Sequence, residues 1–269
     1  MRTMKPLLLI LLTVATLLAA GCATGPRETP VRLTLLTYNI HHGAGMDRKL
    51  DLQRIAALID SQKPDWVALQ EVEDQTSRTK HVDQTAELAR LTGLNGFFAK
   101  AFDFSGGGYG NATLSRHPRI TSTVTQLPLS GEPRCFTDSL IAIPNLPEPI
   151  HFIATHLDVD HPAGREKQVK AILTHVGQLS PGAPVILAGD FNATPEEAPI
   201  TLLLATPGWI DATSKSGNTI PSDRPTSKID YILIHPGNTA CRVITARVIE
   251  EKVASDHRPV ACTLELVPK

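Results

Sequence analysis

The sequence lacks an excess of basic residues. It has 26 Lys and Arg against 27 Asp and Glu in 269 residues, a formal net charge of −1. Proteins that bind nucleic acid without sequence preference usually carry a basic excess, because phosphate contacts supply most of their affinity. The three Tyr and two Trp also offer few aromatic side chains for stacking on single-stranded bases. Nucleic acid is therefore a less favoured partner, although a local basic patch would be compatible with a neutral total.

The sequence also lacks a cysteine pair with CxxC spacing. Cys22 lies near the N-terminus, and the other three cysteines are Cys135, Cys241 and Cys262. This spacing indicates neither a zinc site nor a thioredoxin-like site. We expect these three to be small buried apolar residues, with their disulfide state left open.

No apolar run is long enough to cross a membrane easily. The longest apolar run, residues 7–20, carries no charge, follows Arg2 and Lys5 and ends at Ala20-Gly21-Cys22. A basic start, a short apolar stretch and small residues before the cleavage point are typical of a signal peptide. Small residues immediately before a cysteine resemble the lipobox of bacterial lipoproteins, in which that cysteine is lipidated.

The N-terminal pattern predicts export. We expect a signal peptide over residues 1–21, lipidation of Cys22, and a tether over residues 22–30 that contains Gly25, Pro26 and Pro30. The protein would then be anchored by lipid in the bacterial cell envelope. Its mature form would keep 24 basic and 27 acidic residues, a net charge of −3. The alternative is an ordinary cleaved signal peptide with an incidental cysteine.

Residues 31–269 have no linker, charge run or repeat and are predicted to form one domain. Apolar residues at helical spacing predict one helix over residues 52–59 and another over residues 169–176. Short strand-like runs punctuated by Gly and Pro occupy residues 97–154, and buried strands are predicted at residues 65–70 and 185–188. Because the middle runs lack crossover helices, two packed sheets are favoured over one doubly wound parallel sheet.

Polar and acidic residues recur at the ends of these predicted strands. Carboxylates collected at one edge of a sheet repel each other, so a divalent cation is expected to neutralise them. Oxygen ligands without clustered His or Cys favour Mg²⁺, Mn²⁺ or Ca²⁺ over zinc. The segments are Tyr38-Asn39-Ile40, Gln70-Glu71-Val72, Tyr109-Gly110-Asn111-Ala112, Thr155-His156-Leu157, Gly189-Asp190-Phe191-Asn192, Asp230-Tyr231 and Ser255-Asp256-His257-Arg258-Pro259.

In their order and spacing these segments resemble the endonuclease/exonuclease/phosphatase superfamily, which has the DNase-I-like fold. Gly189-Asp190-Phe191-Asn192 and Ser255-Asp256-His257 are the most specific of them. The resemblance implies an α/β (α+β) four-layer sandwich, with two packed mixed β-sheets flanked by helices. It also implies a metal-dependent phosphoric ester hydrolase.

The resemblance implies a role for each matching residue. Glu71 would be the principal metal ligand, and Asn39 and Asp256 would complete the metal environment directly or through water. The cation would be Mg²⁺, or Mn²⁺ or Ca²⁺ in its place. Asn111, Arg134 and Arg78 would contact the substrate, although a solvated loop is an equal alternative for Arg78. Cys135, next to Arg134, stands where glycine is expected.

The catalytic set implied by the resemblance has five members. Asp190 would be the general base that activates the attacking water, with Asn192 holding it in register. His257, oriented by Asp230, would stabilise the phosphate, and His156 would donate to a phosphate oxygen. Asp190 and His257 would face each other across the scissile phosphate.

Three functions remain open on the sequence. The favoured one is a phosphodiesterase or phosphatase acting on a small or lipid-derived phosphoester at the cell envelope, as a monomer. The second is a secreted or anchored nuclease acting on DNA or RNA. The third is an inert lipoprotein scaffold, which would require a damaged acidic set. The glycine-rich residues 105–110 have no lysine at the P-loop position, so we expect a surface loop there.

Overall fold

Two six-stranded β-sheets face each other in the computed structural model, which describes residues 29–268. The predicted signal peptide, Cys22 and the tether as far as residue 28 lie outside the described residues. The strands are β1 Val31–Asn39, β2 Trp66–Asp74, β3 Asn95–Phe104, β4 Gly107–Ser115, β5 Arg119–Gln126, β6 Cys135–Ile141, β7 Ile150–His156, β8 Val185–Asp190, β9 Ile210–Asp211, β10 Asp230–His235, β11 Thr239–Val248 and β12 Val260–Pro268. The helices are α1 Leu52–Gln62, α2 Gln84–Thr92, α3 Pro162–Val176 and α4 Ala198–Ala205.

Both sheets are mixed and are built on the same plan. The first has the order β11-β12-β1-β2-β4-β3 and the second has the order β5-β6-β7-β8-β10-β9. Each has one parallel pair at its centre, β1 with β2 and β7 with β8, and antiparallel neighbours on both sides. Helix α1 connects the first parallel pair and α3 the second, as parallel strands require. The predicted fold class is confirmed.

Three apolar layers hold the sandwich together. Successive residues of a strand point to opposite faces, so Leu35 of β1 packs between the two sheets while Leu36 packs beneath α1 and α2. Trp66 and Phe152 stack in the central layer with ring centroids 5.0 Å apart. The third layer lies between the second sheet and helices α3 and α4. None of the helices within residues 29–268 is long and apolar enough to cross a membrane.

Local sequence signals set the ends of the first two helices. The Asp51 side chain accepts a hydrogen bond from the Arg54 backbone N–H at 2.9 Å and caps α1. The helix ends at the left-handed Lys63, ahead of Pro64. Asp83 caps α2 through the Ala86 N–H at 2.8 Å, as the sequence predicts.

The glycine-rich segment forms a tight hairpin, so its prediction as a surface loop is wrong. Ser105 and Gly106, with φ of 45° and 80°, are the two turn residues between β3 and β4. Gly107 and Gly110 belong to β4, where a Cβ atom would lie 2.1 Å from the Asp74 carbonyl and 2.0 Å from the Ala99 carbonyl, respectively. These glycines permit close strand approach and are not a phosphate-binding loop.

A buried cluster of Asp138, His151 and His175 connects the second sheet to α3. Asp138, only 6% exposed, accepts hydrogen bonds from His151 Nδ1 at 2.9 Å and from His175 Nε2 at 2.8 Å. Burial alone would raise the pKa of Asp138, but the two histidine hydrogen bonds hold it below its ordinary value. The carboxylate therefore contributes stability above its unfolded-state pKa, and this contribution is lost as the pH falls through the folded-state pKa.

Asp138→Asn is expected to lower the free energy of unfolding at pH 7 by about 1.5–3 kcal/mol, the range for a hydrogen bond to a charged group. The difference from the unmutated protein should shrink below pH ~3.9, where the unfolded carboxyl is itself protonated. Urea unfolding at both pH values measures this. Asp103→Asn is the control, since the Asp103 side chain is 86% exposed. A loss of stability that does not change with pH would contradict the linkage.

Candidate active site

The predicted functional residues gather at one edge of the sandwich. The carboxyl ends of β1, β2, β7 and β8 reach this edge, and the loop before β12 joins them through Ser255, whose hydroxyl donates to the Asn39 carbonyl at 2.7 Å. Asp230 opens β10 directly opposite Asp190 at the end of β8. Residues far apart in the sequence therefore form one site.

Glu71 lies within β2 and not after it, which corrects the predicted end of that strand. The register with β4 shifts between Leu69 and Val72, and Glu71 has a φ of 57° at this bulge. Bulges next to active sites commonly re-aim a side chain. The half-buried carboxylate accepts a hydrogen bond from Asn39 Nδ2 at 3.0 Å. Within residues 29–268 it forms no salt bridge.

Asn39 connects two carboxylates. Its Nδ2 donates to Glu71 Oε1 at 3.0 Å and to Asp190 Oδ2 at 3.1 Å, and its Oδ1 accepts from the His41 backbone N–H at 3.0 Å. A backbone N–H only donates and a carboxylate only accepts, so this network fixes the orientation of the amide. The hydrogen bonds hold Glu71 and Asp190 in place, and because the amide oxygen keeps a second lone pair, the role of Asn39 in the metal environment stays a prediction.

Two histidines beside Glu71 were missed by the sequence reasoning. His41 and His42 follow Asn39-Ile40 in a short 3-10 turn, and each brings a nitrogen within 4.8 Å of the other and of the Glu71 carboxylate. The sequence reasoning did not anticipate histidines at this position, and the expected oxygen ligands stay a prediction. Burial and the charge of Arg78 lower the pKa of His42 to about 4, so the ring is neutral at pH 7. The sequence signal that could have found them is their position, because His41-His42 directly follows the Tyr38-Asn39-Ile40 motif.

Asp190 is almost fully buried among hydrogen-bond donors. Its Oδ1 accepts from the Asn192 backbone N–H at 2.9 Å, and its Oδ2 accepts from Asn39. Burial and the neighbouring charge of Asp230 raise its pKa above the ordinary range for aspartate, while the charge of His257 opposes the shift. A raised pKa suits a carboxylate that must take a proton near neutral pH.

His257 lies between two carboxylates. Its Nδ1 is 3.0 Å from Asp230 Oδ2, and its Nε2 is 3.6 Å from Asp190 Oδ2. Burial opposes the charged ring, but the two carboxylates outweigh burial and raise the pKa of His257. Both ring nitrogens then carry protons. The three side chains lie close enough to hold an ion, but such an imidazolium offers no lone pair to a metal.

The short distance between His257 Nε2 and Asp190 Oδ2 corrects one expectation from the sequence. Asp190 and His257 were predicted to face each other across the scissile phosphate. At 3.6 Å their facing atoms leave no room for a phosphate between them.

The pKa of His156 is shifted in the opposite direction from that of His257, which leaves the His156 ring neutral. Arg134 Nη1 lies 3.1 Å from His156 Nδ1, and because a guanidinium only donates, Nδ1 accepts and the proton is on Nε2. Burial and the charge of Arg134 keep the pKa of His156 well below its usual range. Its Nε2 lies 3.5 Å from Asp190 Oδ2 and 3.0 Å from the Asn192 side-chain amide. A proton on Nε2 requires this amide to present its oxygen to the ring, because two donors cannot bond to each other.

The other predicted substrate residues have partners of their own. Asn111 Nδ2 donates to the Cys135 carbonyl at 3.0 Å, which connects the two sheets. Arg134 is buried and pairs with Glu132 at 3.0 Å. Arg78 is half-exposed and is held by the buried Glu73 through its Nε at 2.8 Å. Contact with substrate stays a prediction for all three.

Asp256 and Cys135 were also singled out from the sequence. Asp256 is half-buried, its Oδ1 lies 3.2 Å from Ser255 Oγ, and its charge acts on the pKa of His42. Its role as a metal ligand stays a prediction. Cys135 is buried at the start of β6, and it, Cys241 and Cys262 form no disulfide within the described residues.

A family model described as the endonuclease/exonuclease/phosphatase family matches residues 36–257. The chain belongs to this family. YbhP of Escherichia coli is 26% identical over 247 residues, which cover 86% of this chain and 96% of that protein. The family's members are hydrolases that act on phosphoester bonds, among them phosphatases, phosphodiesterases and nucleases, and they typically use a divalent metal.

Solved structures of the family have the same fold. An endonuclease/exonuclease/phosphatase from Beutenbergia cavernae aligns with a TM-score of 0.70 and 25% identity over 88% of this chain and 72% of that chain. A mannosyl-6-phosphatase from Bacteroides thetaiotaomicron aligns with a TM-score of 0.70 and 19% identity over 87% and 99%, respectively. The second likeness, at this identity, is one of fold.

Proposed function

We propose that this chain is a divalent-metal-dependent phosphodiesterase or phosphatase at the cell envelope. The observation that carries the proposal is the buried Asp190 carboxylate between two histidines, with its Oδ2 3.5 Å from His156 Nε2 and 3.6 Å from His257 Nε2. His257 pairs with the carboxylate of Asp230, whereas His156 pairs with the guanidinium of Arg134. Environments that push the pKa values of neighbouring groups apart are how active sites assign acid and base roles. The family supports phosphoester hydrolysis as the reaction type.

The residues around Glu71, at the edge of the sandwich, fit a divalent cation. The Glu71 carboxylate is half-buried and has no basic counter-ion within the described residues, so its charge is uncompensated. His42 Nδ1 is buried without a hydrogen-bond partner there. Glu71 would hold the cation, with Asp256 completing its surroundings. When bound, a divalent cation supplies neutralisation of phosphate charge in the transition state.

The side chains account for in-line hydrolysis. Asp190 accepts a proton from water as the water oxygen forms its bond to phosphorus, and the bond from phosphorus to the leaving oxygen breaks on the opposite side. The His257 imidazolium and the His156 Nε2–H donate to the phosphate oxygens as their charge grows. Asp230 keeps His257 protonated and oriented, and Asn192 keeps Asp190 in place.

A nuclease is the second candidate. The family includes nucleases, but the formal net charge of −1 supplies no overall basic excess for phosphate-backbone binding. An inert scaffold is the third candidate. The buried set of Asp190, Asp230 and His257 weighs against it, because two carboxylates buried this close together are costly and are arranged so most often at functional sites.

The test is a substrate screen of the purified mature protein, with and without chelator. Bis-p-nitrophenyl phosphate, p-nitrophenyl phosphate, sphingomyelin, plasmid DNA and RNA cover the candidate classes. EDTA is expected to abolish turnover, and added Mg²⁺ or Mn²⁺ to restore it. Full turnover in excess chelator would contradict metal dependence. Cleavage of DNA or RNA alone would establish the nuclease, and inactivity on every substrate with every cation would favour the scaffold.

Anchoring at the envelope is tested by Cys22→Ser. Without the thiol no lipid can be attached, so the variant should appear unprocessed or soluble while the unmutated protein fractionates with membranes. Mass spectrometry of the mature N-terminus measures the modification. Cys241→Ser is the matched control, since this half-buried cysteine lies in β11 far from the N-terminus in sequence. A soluble unmutated protein with an unmodified N-terminus would contradict the anchor.

A further inference from the structure

We infer that the cation site at Glu71 has two imidazole ligands, His41 and His42, and therefore prefers a borderline first-row cation such as Mn²⁺ or Zn²⁺ over Mg²⁺. A nitrogen from each histidine and a carboxylate oxygen of Glu71 lie within 4.8 Å of one another, and all three residues are half-buried. The inference rests on the proposed function in taking Glu71 as the metal-binding carboxylate.

His41 is held as a metal-binding histidine usually is. Its Nδ1 lies 3.1 Å from the Ala44 carbonyl oxygen, and because a carbonyl only accepts, Nδ1 carries the proton. The lone pair is then on Nε2. Histidines that bind metals commonly donate the other ring N–H to a carbonyl or carboxylate, which fixes both tautomer and ring direction.

His42 has an unused buried nitrogen. Its Nδ1 is inaccessible to solvent and has no hydrogen-bond partner among residues 29–268. A buried polar atom without a partner calls for an explanation, and a bound ion is one of the recognised ones. The two rings lie with centroids 4.5 Å apart at an angle of 66°. A cation between them and Glu71 would satisfy an atom that the protein itself leaves unpaired.

The backbone is strained at all three positions. His41, His42 and Glu71 have φ values of 46°, 44° and 57°, in the left-handed region that side chains other than glycine seldom adopt. Such conformations persist where the surroundings impose them, commonly at ligand-binding sites. All three members of the candidate cation site have this backbone conformation.

Gln84, buried at the start of α2, joins the two strained segments. Its Nε2 donates to the His42 carbonyl at 2.7 Å, and its Oε1 accepts from the Glu73 backbone N–H at 2.9 Å. The histidine turn and the strand of Glu71 are thereby fixed to each other before any ion binds. Gly43 closes the turn with a φ of 79°, where a Cβ would lie 3.1 Å from Gln84 Nε2.

The ligand types decide the metal class. Imidazole nitrogen suits Zn²⁺, Fe²⁺, Ni²⁺ and Cu²⁺, carboxylate oxygen suits Mg²⁺, Ca²⁺ and Mn²⁺, and a mixed set favours cations that accept both. Mg²⁺ demands oxygen ligands in near-ideal octahedral geometry and keeps several waters. Two imidazole nitrogens beside the Glu71 and Asp256 carboxylates therefore select against Mg²⁺.

The test is metal binding by the full mature chain, stripped of metal. Isothermal titration calorimetry with Mn²⁺, Zn²⁺ and Mg²⁺ gives each Kd, and pulsed electron paramagnetic resonance of bound Mn²⁺ detects coupling to imidazole nitrogen. We expect nitrogen coupling, and a Kd for Mn²⁺ at least about tenfold below that for Mg²⁺. Bound Mn²⁺ without nitrogen coupling, or equal Kd values for Mn²⁺ and Mg²⁺, would overturn the inference.

His41→Asn and His42→Asn are the diagnostic variants, because asparagine tolerates a left-handed backbone and removes the imidazole. Each should raise the Kd for Mn²⁺ at least about tenfold and weaken the nitrogen coupling. His81→Asn is the control, since His81 also has a positive φ, 57°, and a Nδ1 contact to a carbonyl, that of Gln75 at 2.9 Å. An unchanged Kd in both diagnostic variants would overturn the inference.

Parallel turnover measurements separate this inference from the proposed function. Turnover with Mg²⁺ but no nitrogen coupling to Mn²⁺ removes the histidine ligands and leaves the hydrolase standing. Nitrogen-coupled Mn²⁺ with no turnover on any phosphoester keeps the site and removes the hydrolase.

Discussion

Asp190→Asn is expected to lower kcat by about 10²–10⁴-fold, the usual contribution of a positioned general base. The amide keeps the size of the carboxylate and can still accept from the Asn192 N–H, but it cannot take a proton from water. KM should change less than kcat, because the loss is confined to the transition state. Steady-state kinetics on whichever phosphoester the unmutated protein cleaves measures the effect.

Asp138→Asn is the matched control for this variant. Asp138 is, like Asp190, a buried aspartate next to two histidines, but it lies under α3, away from the edge that carries Asp190. It should lose stability and keep its kcat. Near-normal kcat in Asp190→Asn would remove the proposed mechanism while leaving the fold untouched.

His257→Ala is expected to reduce kcat by a comparable factor, about 10²–10⁴-fold. The substitution removes the imidazolium that donates to the phosphate and leaves Asp230 without its partner. His257→Gln is the second variant, because its amide can still donate to Asp230 while carrying no charge. If charge is what matters, both variants should be slow, and a fully active His257→Gln would contradict an electrostatic role.

The double variant of Asp190 and His257 should lose less activity than the product of the two single losses. Their facing atoms are 3.6 Å apart and act in one transition state, so their contributions are coupled. His175→Ala is the control for loss of a histidine bound to an aspartate, since His175 bonds to Asp138 outside the site. Strictly multiplicative losses would indicate that the two residues act independently.

Sequence patterns determined the fold class and the identity of most site residues. The spacing of Ile55, Ala56 and Ile59 predicts the buried face of α1, and Asp83 predicts the start of α2, because both signals act within one or two helical turns. The short runs of the middle segment predict antiparallel strands for the same local reason. Asp190 was found because its motif stands at a strand end, where sites collect. His257 and Glu71 were found because their motifs resemble those of the family.

Only the tertiary structure determines the protonation states of the site residues. Nothing local states that His156 is neutral and His257 charged, since each state depends on a partner from another strand, Arg134 in one case and Asp230 in the other. Protonation follows from burial and from the charges that folding brings near.

The detailed geometry of the site also depends on the tertiary structure. The bulge that places Glu71 depends on the pairing of β2 with β4, and the histidine turn is fixed by Gln84, 42 residues away from His42 in sequence. Asn39 and Asp190 are 151 residues apart yet share a hydrogen bond. The sequence determined which groups are present at this edge. Their distances, proton positions and suitability for a metal arise from contacts between distant segments, which no local pattern contains.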